Sequence, residues 1–551
     1  MKYVSDYRNM LELGNLYEYL AYISDKHPDC YASQTLKNGD LISHTYKQLV
    51  RDVRKVGNYL IKNGYHNQHI SLIGNFGYEW LTSFFALLYS DNVVVPIDYG
   101  QSRERIIDLI NGAEASAIIA QRKILSGKRE IATDEKIKNI IYFDDLENII
   151  SSDGFESIKV SYTPPTLDST AMIMYTSGTT GFSKGILLSH RNILHNAIAT
   201  VSRMGEYAFH PGVNSLALLP PFHMFWIAAG IFATIYYGAA LCGSDNALKD
   251  IELLIKTFKP TCLIVVPQIV EGVHKKIWAA AKKTGKEKTL RRALKISNGL
   301  RKIKIDLRPV LFKSISDTLG GNLHTVICGG AAVDEQVIKE MSDFGIKILV
   351  GYGVNECSSI VSVNPPEKQK NGSIGLPNPE PFCRVKIKND EIMISGSIVM
   401  SGYFNDPEGT EEAFDGEWFK TGDIGFIDED GYLYITGRKK NLIILNDGNN
   451  ISPEELETRI RESPVVDSVL VYAKHSRQAQ VLQASVFPNF QYCVDNSITE
   501  IKDELTKLIS KINAENPRYM KIFDVDIREI PFEKTAIGKI KRYLYTNIQE
   551  A

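Results

Sequence analysis

The residues best suited to chemistry cluster first between Thr176 and Gly185, which read TSGTTGFSKG. Gly178, Gly181 and Gly185 let backbone N–H groups approach a ligand without Cβ clashes. Thr176, Ser177, Thr179, Thr180 and Ser183 add hydroxyl donors, and Lys184 adds a positive charge on a flexible stem. Such a segment suits a polyphosphate. The spacing G-x-x-x-x-G-K-[ST] is absent, so this is not a Walker A loop. A surface linker is the bland alternative, and it fits poorly because the segment is short and bounded by apolar runs.

Further groups follow in order along the chain. VICGGAAV offers the small residues Gly329, Gly330, Ala331 and Ala332, against which a flat base could lie. GYGVNE offers an aromatic ring at Tyr352, Gly353, and a carboxylate at Glu356. WFKTGDIG supplies Asp423, TGRKKN supplies Arg438 and Lys440, and FEKTAIGKIKR supplies Lys539. Taken singly, a TGD turn, an arginine or a lysine near the C-terminus is ordinary surface. As an ordered series they resemble the motifs of the adenylate-forming superfamily, which comprises acyl-CoA synthetases, nonribosomal peptide synthetase adenylation domains and luciferases. The resemblance covers nearly the whole chain. It implies that the loop from Thr176 to Lys184 holds ATP phosphates and that Gly330, Ala331, Ala332, Tyr352 and Gly353 receive adenine. It further implies that Glu356 binds Mg²⁺, as a hard cation is held by few carboxylates plus phosphates. Asp423 and Arg438 hold the ribose, Lys440 is the hinge and Lys539 is the catalytic lysine. The family's usual threonine before the glutamate is Asn355 here, whose amide can still donate to an α-phosphate oxygen.

Positioning these groups requires a frame, and the sequence describes one. Short apolar runs (HISLIG, NVVVPID, ASAIIA, AMIMYT, SLALLP, TCLIVVP, HTVICGG and KILVGYG) alternate with amphipathic stretches. Such runs read as strands buried on both faces, so the expected fold is α/β, a large N-terminal domain of helix-flanked mixed sheets. The phosphate loop is expected to join a strand ending at Tyr175 to a helix starting near Ser189. After Gly437, VVDSVLVYAK and AQVLQASVFPN lead into a helix with Ser497 and Glu500 as a capping box and Ile501, Leu505, Leu508, Ile509 and Ile512 on one face. This reads as a small C-terminal α+β domain. The expected organisation is an N-terminal adenylation domain over 1–437, a hinge over 438–440, and a mobile C-terminal domain over 441–551 carrying Lys539.

Composition narrows the class. With 551 residues, a formal net charge of -2, 44% hydrophobic and 23% charged residues, the chain is an ordinary globular protein long enough for more than one domain. Nothing in that balance points to nucleic acid. Seven cysteines stand without a C-x-x-C pair, several inside apolar runs, which suggests buried thiols in a reducing compartment. The first residues show no signal-peptide core, and a cytoplasmic location is expected. Met224 to Cys242 is nineteen residues without a charge; the preceding prolines, Gly230 and Gly238, and the lack of flanking basic residues favour a buried helix over a membrane span. Lys275 to Lys313 carries fourteen Lys or Arg against Glu287 and Asp306. This is a solvated helical face, or else a landing strip for a phosphorylated thiol carrier or a membrane surface.

The reaction implied is conversion of a carboxylate to a mixed anhydride with AMP, release of pyrophosphate, and transfer of the acyl group to a thiol. Charge builds on phosphate oxygens, so positioning and electrostatics by Lys539, Mg²⁺ and loop donors carry the catalysis. Amino-acid-activating domains carry an Asp for the substrate ammonium. The corresponding segment here, PPFHMFWIAAGIF, has no acid, and a buried unpaired ammonium would be very costly. The same segment suits hydrocarbon, each buried CH₂ contributing about 0.8 kcal/mol. His223 aligns beside the substrate carboxylate, its bland role being that of a helix-start residue. The sequence most resembles long-chain acyl-CoA synthetases, with ATP and Mg²⁺ required and coenzyme A as acceptor. Alternatives left open are loading of a carrier protein in trans, an aryl acid as substrate, and a nucleotide-binding protein without catalysis.

Overall fold

A computed structural model describes residues 11–127, 131, 139–152, 162–175, 184–205, 209–444, 450–475, 480–535 and 538–546. They pack as two units. The first is built from residues within 1–176, 183–384 and 394–419, and the second from 385–393 and 420–551. Arg438 and Lys440 therefore both belong to the second unit.

Two large sheets form the frame of the first unit. In one, the strands run Leu376–Pro377, Ser362–Val363, Lys347–Tyr352, Thr325–Cys328, Cys262–Val265, Asn214–Leu216, Ala240–Ser244, Tyr31–Lys37 and Asp40–Thr45 from edge to edge. Its middle is parallel and its edges antiparallel. The runs CLIV and TVIC are buried at every position, as strands covered on both faces should be. Register aligns their ends: Val265 pairs with Cys328, and Cys328 with Val350. The segments that leave these strands, Gly329–Ala332 and Gly351–Glu356, therefore start side by side at the carboxyl edge of a parallel sheet, where ligands bind in open α/β folds.

The second sheet runs Gly402–Tyr403, Gly185–Ser189, Thr170–Tyr175, Val93–Pro96, His69–Ile73, Ala117–Ala120 and Ile140–Tyr142. It corrects one expectation. Residues Gly185–Ser189 form a strand antiparallel to Thr170–Tyr175, with Tyr175 opposite Gly185. The phosphate segment thus closes a hairpin and does not lead directly into a helix. The helix His190–Met204 follows at once, capped by Ser189. The Asn192 N–H donates to Ser189 Oγ at 3.2 Å, and the Ser189 N–H donates to Asn192 Oδ1 at 2.9 Å. A cap of this kind stabilises a helix by about 1 kcal/mol.

Met224 to Cys242 is not one helix. Trp226–Phe232 forms a π-helical stretch and Ala233–Tyr236 one α-turn. The chain reverses at Gly238, with φ of +66°, into the buried strand Ala240–Ser244. A Cβ at Gly230 would lie 2.1 Å from Cε3 of Trp226, so the glycine admits the indole. Among the described residues no helix is long and apolar enough to cross a membrane. The basic stretch folds as the end of helix Pro267–Lys283, helix Glu287–Arg301, and two short helices, Arg308–Leu311 and Lys313–Thr318.

In the second unit, strands Val466–His475, Gln480–Pro488 and Ile522–Ile527 form a sheet against helices Pro453–Arg461 and Ile501–Glu515. Leu456, Ile460, Val471, Leu482, Leu505, Ile509 and Ile512 meet in its core. Helix Ile501–Glu515 starts without the expected capping box: Glu500 is the cap, no side chain caps it, and Ser497 stands in the left-handed region at φ +54°. A residue in that conformation ends the preceding turn, so its hydroxyl is not presented to the helix. Six of the seven cysteines are buried and all are free, as their apolar settings suggested.

Candidate active site

Of the phosphate loop, Thr176, Ser177, Gly178, Thr179, Thr180 and Gly181 lie outside the described residues. Lys184, at the foot of the hairpin, is described, and its surroundings are specific. Its Nζ lies 2.8 Å from Asp406 Oδ2 and 4.6 Å from the centroid of the Tyr403 ring. The Tyr403 hydroxyl in turn donates to Glu356 Oε1 at 3.3 Å. A carboxylate assigned to a metal and an ammonium assigned to phosphate are therefore linked through one phenol ring.

The links follow from the fold. Gly402 and Tyr403 pair with Leu187 and Ile186 at the edge of the hairpin, and the Phe404 N–H donates to the Gly185 carbonyl at 2.7 Å. Asp406 then caps helix Pro407–Ala413, accepting from the Gly409 N–H at 2.8 Å. A Cβ on Gly409 would stand 2.3 Å from Lys184 Nζ, so a larger residue there would make the pair shift. Lys184 holds the Asp406 carboxyl below its usual pKa through their hydrogen bond. Burial, reinforced by the Glu356 charge, pushes the Tyr403 hydroxyl far upward, so it remains a donor.

Glu356 sits in a short 3₁₀ turn, Asn355–Cys357, reached from strand Lys347–Tyr352. This turn is tightly held. A Cβ at Gly353 would fall 1.2 Å from the Ser359 carbonyl oxygen, and Ser358 and Ser359 both have positive φ, +54° and +87°. The Ser358 hydroxyl donates to the Ile398 carbonyl at 3.0 Å, and the Met400 N–H to the Glu356 carbonyl at 2.7 Å. Gly353 is thus required by the closure of its own turn. Strained backbone of this kind gathers at functional sites. Tyr352 is 9% exposed, while Gly330, at φ +90°, and Ala332 are exposed at the end of the neighbouring strand.

His223 stands one residue before the helical segment. Its Nδ1 accepts from the Phe225 N–H at 3.3 Å, the part of a helix-start residue, and this leaves the ring proton on Nε2. Phe225 packs against Gly329, whose added Cβ would be 3.1 Å from the ring. The apolar segment and the small-residue loop therefore meet. Trp226, Ile227, Ile231 and Phe232 are fully buried, in an aromatic cluster with Phe76, Phe84 and Phe85.

The second unit gathers Asp423, Arg438, Lys440 and Lys539. Asp423 and Arg438 are directly opposite on the antiparallel strands Trp418–Ile427 and Leu433–Arg438. Arg438 Nε donates to Asp423 Oδ1 at 2.6 Å, and Nη2 reaches Oδ2 at 3.5 Å. Lys539 lies in a tight turn: the Thr535 N–H donates to the Lys539 carbonyl at 2.7 Å, and the Lys539 N–H to Thr535 Oγ1 at 3.2 Å. Gly538 takes φ +80°, which explains the glycine before the lysine. Lys539 is exposed, yet protein around its ammonium displaces part of its water. That loss of water, reinforced by Arg438 and Lys440 and opposed by Asp423, lowers its pKa to about 8.

Several residues that shape the site carry no sequence signal of their own. Tyr403 and Asp406 are examples, although an Asp before Pro407 and three before Gly409 does mark a helix start. Glu391, 7% exposed, accepts from the Gly422 N–H at 3.0 Å and from Lys439 at 2.9 Å, bracing the Asp423 turn. Arg542, three residues after Lys539, is anchored to the buried Glu457 carboxylate and to the Val471 carbonyl. Among the described residues no group of three or more ligand side chains could hold a metal. A single carboxylate at Glu356 fits Mg²⁺, which keeps waters and phosphate oxygens as its remaining ligands.

Comparison with known proteins points one way. The AMP-binding enzyme family model matches residues 23–404, and the AMP-binding enzyme C-terminal domain model matches residues 440–547. A long-chain-fatty-acid–CoA ligase, FadD15, of Mycobacterium bovis is 27% identical over 477 residues, covering 81% of this chain and 77% of its own. Long-chain-fatty-acid–CoA ligase 5 of Mus musculus is 29% identical over 486 residues, covering 79% and 69%. Among solved structures, o-succinylbenzoate CoA synthetase from Bacillus subtilis with its acyl-adenylate intermediate superposes with a TM-score of 0.74 at 19% identity, covering 98% of both chains. ATP-bound MatB from Rhodopseudomonas palustris gives 0.75 at 22%, covering 96% of this chain and 98% of its own.

Proposed function

The chain belongs to the AMP-binding enzyme family, and on that premise we propose that it activates an apolar carboxylic acid with ATP and passes the acyl group to coenzyme A. The observation that carries this reading is the contact series Glu356, Tyr403, Lys184, Asp406 at the foot of the phosphate hairpin. A carboxylate fit for Mg²⁺ and a cation fit for phosphate stand at one phenol. Mg²⁺ held by Glu356 would neutralise charge on the polyphosphate.

In this reading the substrate carboxylate attacks the α-phosphorus, the bond to pyrophosphate breaks, and an acyl adenylate results. Lys184 steadies the phosphates, His223 presents Nε2–H toward the carboxylate, and Lys539 offsets the charge that grows on the α-phosphate. Asp423 and Arg438 hold the ribose. In the second step a thiol attacks the acyl carbon and AMP leaves with the bonding pair. Rotation about Lys440, within the hinge 438–440, withdraws Lys539 and lets the thiol in.

Long-chain-fatty-acid ligases among the relatives and the acid-free segment around Phe225 support a fatty acid as substrate. A second reading, an aryl acid, draws on the aromatic density at Phe76, Phe225 and Trp226. The test is pyrophosphate release from a panel of straight-chain and aryl acids, with and without coenzyme A. Fatty acids should give coenzyme A-dependent turnover. Turnover by aryl acids alone would move the substrate assignment, and pyrophosphate release by none would overturn the proposed reaction.

A further inference from the structure

Helix Glu287–Arg301 has two unlike faces. On the inner one, Leu290, Ala293 and Leu294 pack against the core, Ser297 is fully buried, and Asn298 and Arg301 hold Asp343 at 2.8 and 3.1 Å. On the outer one, Lys288, Arg292, Lys295 and Ile296 are exposed along one helical stripe, which Lys302 and Ile303 continue beyond its end.

Two features separate this surface from an ordinary solvated face. First, the basic residues divide. Arg291, Arg301, Arg308 and Lys313 are matched by Glu287, Asp343, Asp306 and Asp317. Lys288, Arg292, Lys295, Lys302 and Lys304 have no ion-pair partner among the described residues. Second, large apolar side chains stand in water among them. Ile296, Ile303, Ile305, Val310 and Leu311 are exposed, Ile303 to 65% and Val310 to 75%. The neighbouring Phe312, at 1%, pins this edge to the core beside Phe344. Anchored backbone, unmatched cations and outward aliphatic groups thus fall within residues 288–311.

We propose that this surface docks on an anionic lipid bilayer. The charge is complementary to lipid phosphates, and the exposed aliphatic side chains interspersed with the cations in this stretch suit an interface that offers phosphates and acyl chains together. An acidic protein would match the cations yet leave the scattered aliphatic groups without a common apolar surface. The docking does not depend on which acid the enzyme takes; it would bring the chain to where amphiphilic acids partition.

The test is co-sedimentation of the purified full chain with vesicles of equal parts phosphatidylglycerol and phosphatidylcholine, and with vesicles of phosphatidylcholine alone. The chain should sediment with the first and not the second, and salt should release it. Each basic residue near such a surface contributes roughly a fivefold factor in partition. The triple variant Lys288→Glu, Arg292→Glu, Lys295→Glu should therefore bind at least about a hundredfold more weakly, and Ile303→Ser with Val310→Ser should also weaken binding at unchanged charge. ATP–pyrophosphate exchange with a water-soluble acid should be unaltered in both variants, showing that they fold. Failure of the wild type to bind anionic vesicles, as a surface built for an acidic protein would give, overturns the proposal. So does a folded triple variant that sediments like the wild type.

Discussion

At pH 9 the enzyme should form acyl adenylate with roughly a tenth of its neutral kcat/KM, because a group titrating near 8 keeps its proton on about one molecule in eleven there. Lys539 is that group, its pKa lowered to about 8 by crowding at the ammonium and by the nearby charges of Arg438 and Lys440. An ordinary lysine, titrating near 10.4, would leave the rate flat through about pH 9. The assay is acid-dependent exchange of pyrophosphate into ATP at low substrate, so that the free enzyme's groups are read. Phenols among the first unit's candidate residues do not confuse the limb, since burial pushes Tyr175 up to about 12 and Tyr403 higher still. Lys539→Arg carries a guanidinium that does not titrate in this range; it should retain part of the activity and lose the alkaline limb. A wild-type profile that is flat to pH 9, or a limb that persists in Lys539→Arg, would refute the role given to this ammonium.

Other changes should separate the parts. Lys539→Ala should lower exchange on the order of 10²-fold or more while still consuming supplied acyl adenylate with coenzyme A; equal loss of both would count against a lysine that acts in the first step alone. Asp406→Asn keeps a capping acceptor for Gly409 but frees Lys184, so the KM for ATP should fall with an unchanged melting temperature. Gly353→Ala cannot close the turn that carries Glu356 and should cost about 1–3 kcal/mol or more, with weakened Mg·ATP binding read by calorimetry. Arg542→Met should cost about 3–5 kcal/mol by leaving the Glu457 carboxylate buried without its partner. Burial already raises the Glu457 pKa to about 7 against the pull of Arg542. A carboxyl raised above its unfolded value contributes stability at low pH and loses it as pH rises past the folded pKa, so the variant's deficit in melting temperature should be larger at about pH 8 than at about pH 5.

What could be read from the sequence was local, and what could not was made by distant pairing. Runs such as TVIC and CLIV declare strands because they are apolar almost throughout and β-branched residues recur. GILLS, equally apolar, is too short for periodicity to decide, and the helix signal at Ser189 overshadowed it. Asp423 and Arg438 were singled out as candidates, yet their fifteen-residue spacing gives no hint of the register that sets them face to face. Tyr403 and Asp406 owe their place to two bridges with Ile186 and Leu187, more than two hundred residues earlier. Ser497 failed as a cap because its backbone turns left-handed four residues before the helix begins at Ile501. The uncharged run at Met224 was legible as buried, while its π-helical path depended on the fit of Trp226 over Gly230.

The two charge pairs at the candidate site differ in how readily they can give way to a nucleotide. Lys184 and Asp406 are both substantially exposed, at 46% and 35%, and exposed pairs are weak because water and salt compete with them. A polyphosphate can therefore take Lys184 from Asp406 at little expense, and Asp406 retains its Gly409 N–H. Asp423 is nearly buried, at 3%, so parting it from Arg438 would strand a desolvated carboxylate. The geometry offers another route. Oδ1 accepts from Arg438 Nε at 2.6 Å, and Oδ2 lies 3.5 Å from Nη2. A carboxylate offers about four lone-pair sites, so it can accept from a further hydroxyl while the pair stays intact. The Lys184 cation is poised to exchange partners, and Arg438 is built to stay with Asp423.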